Sequence, residues 1–408
     1  WTADPTDQAD AEFGGCVARA GDVNGDGYAD VLVGAFLFDA QAVDEGRAYL
    51  YLGGPGGLSA TPGWTIDPTD QLNSEFGSSL AGAGDVNGDG FADIVVGAYL
   101  WDSGSANEGR VYVFHGSATG PAAAADWISD PTDQAGARFG YSVAGAGDVN
   151  GDGFSDLVVG AHLWNGAQTD EGRAFAFFGS ATGLGAAPAW TADPTDQNIA
   201  EFGASVAGAG DVNRDGYSDV VIGAPLFDAE QVDEGRAYLY AGSGTGLGAA
   251  PLTTLDPTDQ LTARFGWSVA GAGDVNADGF ADVLVGADGY DAEQLDEGRA
   301  YGYHGGLLGL PGVPSWTADP TDQANAQFGY SVAGAGDVNA DGFADVVIGA
   351  FKWNGEATDE GRAFAFLGVG DTGIPPRAPS LAQFRADGTT SIGLGGLGGA
   401  TIVLRGSL

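Results

Sequence analysis

One cysteine, no methionine, three histidines and only 14 lysines and arginines stand among 408 residues. Each scarcity excludes something. Cys16 has no second cysteine to pair with, so no intrachain disulfide can form, and cysteine usage assigns no redox compartment. The 14 bases face 56 acids, a formal charge of −42. Such a field repels phosphate backbones and anionic lipid, which argues against nucleic acid and against an anionic membrane surface as partners. No apolar run reaches the length of a bilayer-spanning helix, so no direct membrane insertion is expected. The histidines form no cluster, and no Ser/His/Asp or Cys/His grouping stands out. Catalysis needs an asymmetric constellation, so the chain is expected not to be an enzyme. The N-terminus carries no signal-type pattern, and the chain opens inside a repeat, as a processed or excised fragment would.

What is abundant is glycine, 73 residues without a three-residue period, and above all repetition. Asp-Pro-Thr-Asp-Gln starts at Asp4, Asp67, Asp130, Asp193, Asp256 and Asp319. Asp-Val-Asn-x-Asp-Gly starts at Asp22, Asp85, Asp148, Asp211, Asp274 and Asp337. The interval is always 63 residues, so six copies fill residues 1–378 and leave a tail at 379–408. Units repeated at such a period bury against their neighbours what each cannot bury alone. Cys16 falls where the other copies have Ser79, Ser142, Ser205, Ser268 and Ser331, and reads as a small buried substitute for serine.

The third copy shows the plan. Phe139-Gly-Tyr-Ser-Val-Ala-Gly alternates small residues, suiting a crowded inner strand. A polar loop follows from Asp148 to Asp156, then the apolar run Leu157-Val-Val-Gly-Ala, then a loop ending in Asp170-Glu-Gly-Arg173. Ala174-Phe-Ala-Phe-Phe alternates again, and after a Gly-rich turn Trp190-Thr-Ala starts an outer strand. Nothing in the repeat has helical periodicity. Four short strands per unit predict an all-β fold, a β-propeller of six four-stranded blades. The opening Trp1-Thr-Ala matches an outer strand, so the N-terminal strand is expected to complete the sixth blade and close the ring. The alternative is seven blades, with a degenerate last blade from the C-terminal tail. The tail reads better as the start of another β module.

The strongest chemical signal is Asp-x-Asn-x-Asp-Gly-aromatic-x-Asp. Alternate oxygens converge when the backbone wraps a cation, glycine in the sixth place permits the turn, and the seventh carbonyl adds a ligand. The expected ligands are Asp22, Asn24, Asp26, the Tyr28 carbonyl and Asp30 in the first copy. The next two copies supply Asp85, Asn87, Asp89, Phe91 and Asp93, then Asp148, Asn150, Asp152, Phe154 and Asp156. The last three supply Asp211, Asn213, Asp215, Tyr217 and Asp219, then Asp274, Asn276, Asp278, Phe280 and Asp282, then Asp337, Asn339, Asp341, Phe343 and Asp345. Hard oxygen donors of this kind suit Ca²⁺ rather than Zn²⁺, about six ions, one per repeat, in a structural role. The twelfth place is Val33 where an EF-hand has glutamate, so the ninth-place aspartate must close the site. The fourth place varies (Gly25, Gly88, Gly151, Arg214, Ala277, Ala340), as a residue pointing away would.

Phe13-Gly14, the acidic loop and Gly34-Ala35 together resemble the FG-GAP repeat of the integrin α-subunit β-propeller; the full Gly-Ala-Pro occurs at Gly223-Ala224-Pro225. The resemblance runs through all six repeats. It implies Ca²⁺ in the hairpin loops between the first two strands of each blade. It also implies a secreted or cell-surface protein with an adhesion or ligand-binding role. Integrin propellers usually have seven blades with calcium loops in only some, so six complete repeats look like a bacterial-type integrin-like relative. The tail resembles the first strands of Ig-like modules, which would make the chain part of a larger multidomain surface protein.

Two further sets recur. Glu-Gly-Arg supplies Arg47, Arg110, Arg173, Arg236, Arg299 and Arg362, expected to pair with aspartates of the Asp-Pro-Thr-Asp-Gln loops or of neighbouring blades. Phe38, Trp101, Trp164, Phe227, Tyr290 and Trp353 follow the second strand and are expected to pack their own loops. The alternative is stacking platforms for sugars, a lectin-like propeller. The loops around them vary most, at residues 102–107, 165–169 and 288–291, and would select the partner, a protein ligand or a surface glycan.

Overall fold

The computed structural model describes residues 1–370 apart from Thr6, Asp7, Thr69 and Glu356. Every regular element is a strand, and contacts divide the chain into two compact units, the first Trp1–Asn198 and the second starting at Ile199. The first unit holds three sheets. These are β1 (Phe13–Gly21), β2 (Asp30–Ala35), β3 (Arg47–Tyr51) and β4 (Trp64–Ile66); β5 (Ser79–Gly84), β6 (Asp93–Ala98), β7 (Arg110–Phe114) and β8 (Trp127–Ser129); and β9 (Ser142–Gly147), β10 (Asp156–Ala161), β11 (Arg173–Phe177) and β12 (Trp190–Ala192). The second unit holds β13 (Ser205–Gly210), β14 (Asp219–Ala224), β15 (Arg236–Tyr240) and β16 (Thr253–Leu255); β17 (Phe265–Gly273), β18 (Asp282–Ala287), β19 (Arg299–Tyr303) and β20 (Trp316–Ala318); and β21 (Phe328–Gly336), β22 (Asp345–Ala350) and β23 (Arg362–Phe366). Each sheet is an antiparallel meander in chain order. The fold is the all-β propeller of six blades, its sixth sheet three-stranded among the described residues.

Alternation along the strands sends side chains to opposite faces of each blade. Leu32 and Leu50 of the first sheet pack with Ile94, Val96 and Phe114 of the second. The other face of the second sheet sends Val95 and Val113 against Phe139, Leu157, Val159 and Phe175 of the third. In the second unit Val221 and Leu239 pack on Val283, Val285 and Tyr301, and Leu284 on Val346 and Ile348. The second strands are buried on both faces, as their continuous apolar runs require. Inner strands approach backbone to backbone: a Cβ at Gly145 would stand 2.7 Å from the Gly82 carbonyl oxygen, which explains their small residues.

One expectation needs correction. Trp1–Ala3 forms no strand. Trp1 nevertheless docks on the first sheet as its equivalents dock on the sheets that follow them. Its Nε1 donates to the Ser59 carbonyl at 2.6 Å and its ring meets Tyr51 edge-on at 4.9 Å. Trp64 does the same with Ala122 and Phe114, and Trp127 with Gly185 and Phe177. A three-residue strand has few ladder bonds, so Trp1 is held by its side chain and not by strand pairing. The 379–408 tail, on which a seventh blade or a following module would rest, lies outside the described residues.

Candidate metal loops and the opposing loop face

A meander places the connection after its first strand and the one after its third at one end of the sheet. The connection after its second strand and the link to the next sheet lie at the other. The acidic motif occupies the first kind of end, as expected: residues 22–29 join β1 to β2, and 85–92 join β5 to β6.

In the second blade Asp85 Oδ1 accepts the N–H groups of Gly88 and Asp89 at 2.6 and 3.1 Å, and its Oδ2 that of Gly90 at 2.8 Å. Asn87 Oδ1 accepts Asp89 N–H, and Asp89 Oδ1 accepts Phe91 N–H at 3.0 Å. Gly90 has φ +93°, the left-handed turn that the sixth place needs. The bonds of the sixth-place N–H to the first-place Oδ2 and of the seventh-place N–H to the fifth-place Oδ1 recur in the other five copies, that of the fourth-place N–H in the third copy. Side chains of the first, third and fifth places are thus turned onto loop N–H groups and onto one another, Asn87 Nδ2 donating to Asp89 Oδ2 at 2.9 Å. In this arrangement no three acidic or histidine side chains converge as metal ligands among the described residues. The donor chemistry still fits a hard cation: each carboxylate oxygen that accepts one N–H keeps a lone pair.

The ninth-place aspartate is different. Asp30, Asp93, Asp156 and Asp219 are fully buried, and Asp282 and Asp345 nearly so. Asp93 Oδ2 accepts Val86 N–H and its Oδ1 accepts Gly116 N–H, both at 2.8 Å. It therefore straps its own loop to the connection after β7, and all six copies do this. Burial pushes the carboxyls of Asp156 and Asp219 up to about 6 and that of Asp282 to about 7; two N–H bonds oppose the shift and two nearby loop aspartates add to it.

Successive loops also hold one another. Ala92 N–H donates to the Asp22 carbonyl at 3.1 Å and Ser155 N–H to the Asp85 carbonyl at 2.9 Å. The seventh-place ring covers the fourth place of the preceding loop, Phe91 over Gly25 and Phe154 over Gly88, where an added Cβ would come within 2.6 Å of the ring. Arg214 instead lays its guanidinium 5.5 Å from the Phe280 ring centroid. The fourth place thus has a neighbour to meet, and all six residues there hold positive φ.

At the other end the two recurring sets merge. Arg47, Arg110, Arg173, Arg236 and Arg299 each pair with the first aspartate of the next Asp-Pro-Thr-Asp-Gln, as expected. Each guanidinium also lies over the aromatic ring of its own loop, at 3.9 Å for Phe38, 4.3 Å for Trp101, 3.4 Å for Trp164 and 3.2 Å for Arg362 over Trp353. Those rings pack their loops, as expected. The motif glutamine, which sequence reasoning missed, brackets the residue after the ring: Gln71 Nε2 donates to the Asp102 carbonyl and its Oε1 accepts Asp102 N–H. Gln8, Gln134 and Gln260 act alike on Asp39, Asn165 and Asp291. The constant offset of 31 residues was the available signal.

Near the start of β9 the variable positions gather. Tyr99 donates to Glu75 at 2.6 Å, and the His162 ring lies 3.7 Å from that of Tyr141. His162 is buried, its Nδ1 has no hydrogen-bond partner, and burial, with help from Arg138, pushes its pKa down to about 3.

The family model for the FG-GAP repeat matches residues 17–51, 76–114, 139–177, 202–240, 265–303 and 328–364. Integrin alpha-IIb of Mus musculus is 40% identical over 163 residues, which cover 38% of this chain and 15% of that protein. Integrin alpha-V of Gallus gallus is 32% identical over 237 residues, 56% of this chain and 21% of that protein. The matched part thus spans about a fifth or less of those relatives' length. Among solved structures, the Dos1 propeller aligns with a TM-score of 0.44 at 13% identity, covering 86% of this chain and 69% of that one. No described helix is long and apolar enough to cross a membrane. With the model matched in every repeat and over more than half of its residues, the chain belongs to the FG-GAP repeat family, as an integrin-α-like β-propeller.

Proposed function

We propose that this chain is an extracellular binding module, not an enzyme, which presents loops to a protein partner on a frame stabilised by structural Ca²⁺. The observation that carries the reading is the acidic loop. All side-chain donors are kept in six copies, at the hairpin ends of six FG-GAP repeats, and the same N–H bonds orient them. Asp at the first, fifth and ninth places, Asn at the third and the seventh carbonyl would hold the ion. When bound, the ion neutralises acids that otherwise repel, and ties the first two strands of its blade. The protein itself orients the donors, shields the ninth carboxylate from water and clamps successive loops together within each unit.

Calcium added to chelator-treated protein is expected to raise the melting temperature and saturate at one ion per loop, because a ligand of the folded state alone stabilises it by mass action. A melt indifferent to calcium after verified metal removal would overturn the calcium reading. A protein partner is favoured over a glycan because the candidate stacking rings have one face covered by arginine. Calcium-dependent adhesion of coated beads to protein-coated surfaces tests this; adhesion to glycan arrays alone would refute it.

A further inference from the structure

The fifth acidic loop has a neighbour that the other five lack. Asn276, its third-place residue, is 7% exposed, where the other third-place asparagines are half-buried. Its Oδ1 accepts Asp278 N–H at 3.1 Å, and its Nδ2 donates to Asp278 Oδ2 at 2.8 Å. Those two bonds fix which end of the amide is oxygen. The second hydrogen of Nδ2 points to His304 Nδ1, 3.2 Å away, which accepts it and so carries the imidazole proton on Nε2. In the other copies Nδ2 donates to the fifth-place carboxylate alone, among the described residues.

His304 lies just past β19, and His115 holds the same place three repeats earlier. One residue gives the two imidazoles different partners. Asp126 accepts His115 N–H at 2.8 Å and keeps its other oxygen 3.9 Å from His115 Nδ1. The matching residue in the fifth copy is Ser315, whose Oγ accepts His304 N–H at 3.0 Å but brings no carboxylate to Nδ1. The His304 ring faces Asn276 instead. Leu52, Phe178, Ala241 and Leu367 stand at this place in the remaining copies, and their side chains accept nothing.

With both Nδ2 hydrogens and one Oδ1 lone pair engaged, the open group of Asn276 is the other Oδ1 lone pair, the one a hard cation uses. If Asp278 turns to a cation, His304 still holds the amide in place. Groups behind a metal ligand fix its orientation, and losing one typically costs about tenfold or more in affinity. Arg214 works in the other direction. A Cβ on Gly279 would stand 2.7 Å from its Nη1, so a guanidinium already lies at the fifth loop and opposes a second positive charge there.

We propose that His304 is a positioning residue for calcium in the fifth loop, acting through Asn276 to keep Oδ1 turned to the ion. The proposal rests on the structural-calcium reading and adds that one of the six sites depends on an imidazole outside its loop.

The test is calorimetric titration of the whole chain with calcium, after chelator treatment and removal of the chelator. His304→Ala should weaken one ion about tenfold or more and leave the others unchanged. His304→Asn, which keeps an acceptor near the place of Nδ1, should restore most of that affinity. His115→Ala should bind as the parent does. Asn276→Ala should weaken the same ion, and adding His304→Ala to it should cost nothing further, since both act through one amide. In chelator the melting temperature of His304→Ala should stay close to the parent's, which separates positioning from folding. Calcium binding by His304→Ala equal to the parent's would overturn this proposal alone. So would fully additive losses in the double variant, a His304→Asn variant as weak as His304→Ala, or an equal loss in His115→Ala. A parent that binds no calcium would overturn the calcium reading, and the proposal with it.

Discussion

Arg173 lies over the Trp164 ring, with its guanidinium carbon 3.4 Å from the ring centroid, while its Nε donates to Asp193 at 3.1 Å. One planar cation thus joins the β10–β11 loop to the segment after β12. The Arg173–Asp193 pair is about a quarter to a third exposed, so the ion pair alone contributes little. The stack adds what the pair lacks, and only a planar group supplies both. Arg173→Lys is expected to cost about 1 kcal/mol, read as a lower urea midpoint at unchanged slope. A variant as stable as the parent would mean that the stack is incidental.

Cys16 occupies a place where serine bridges blades. Ser79 Oγ donates to the Gly140 carbonyl at 2.6 Å, and Ser205 and Ser268 donate to Gly266 and Gly329 at 2.7 Å. A thiol is a poor donor; Cys16 is half-buried, not buried as the sequence suggested, but desolvation pushes its thiol up to about 11, so it is also a poor nucleophile. Cys16→Ser should therefore stabilise the first unit by about 1 kcal/mol. The parent thiol should resist a disulfide reagent until the protein unfolds. Rapid labelling of folded protein would show the site to be open.

His162 stands where other copies have Phe36, Tyr99 and Phe351. Its folded-state pKa is depressed to about 3 from an ordinary 6.5, so the unfolded chain takes up a proton that the folded chain refuses. The histidine's contribution is present above pH 6.5 and lost as pH falls from there toward 3, by about 1.4 kcal/mol per unit. His162→Phe removes the effect. Urea unfolding at about pH 7 and pH 5 should show the parent losing more stability than the variant on acidification. Parallel losses would mean that the imidazole is protonated in place.

The 63-residue period made the fold legible because each blade repeats one pattern of small, apolar and turn residues, and burial must follow it. Strand types and the position of the acidic loops followed from Phe139 to Trp190 alone. What stayed illegible were contacts between elements distant in the chain. Nothing near Gln71 announces Asp102, and nothing near Phe91 announces Gly25. Local pattern also cannot assign two tasks to one residue. Asp93 reads as a ligand, but its oxygens strap two backbone segments as well. The rings and arginines were legible as separate sets, and only their geometry joins them.

That double task separates two kinds of aspartate in one loop. Asp89 Oδ1 accepts Phe91 N–H and its Oδ2 accepts Asn87 Nδ2, all within an exposed turn. Asp93 is buried and accepts from Val86 and from Gly116, which lies after β7. Asp93→Asn would leave one of those N–H groups facing an amide donor, at a cost of about 1–3 kcal/mol in chelator, and in calcium it should lose part of the metal-dependent gain as well. Asp89→Asn keeps the turn and removes charge from a crowded acidic loop. In chelator it should change stability by no more than about 0.5 kcal/mol. In calcium it should lose part of the metal-dependent gain, because a carboxylate ligand has become an amide. Urea unfolding of both variants, each in chelator and in calcium, gives four comparisons with the parent. If Asp89→Asn is equally destabilised in both media, the fifth-place acid serves the turn and not an ion.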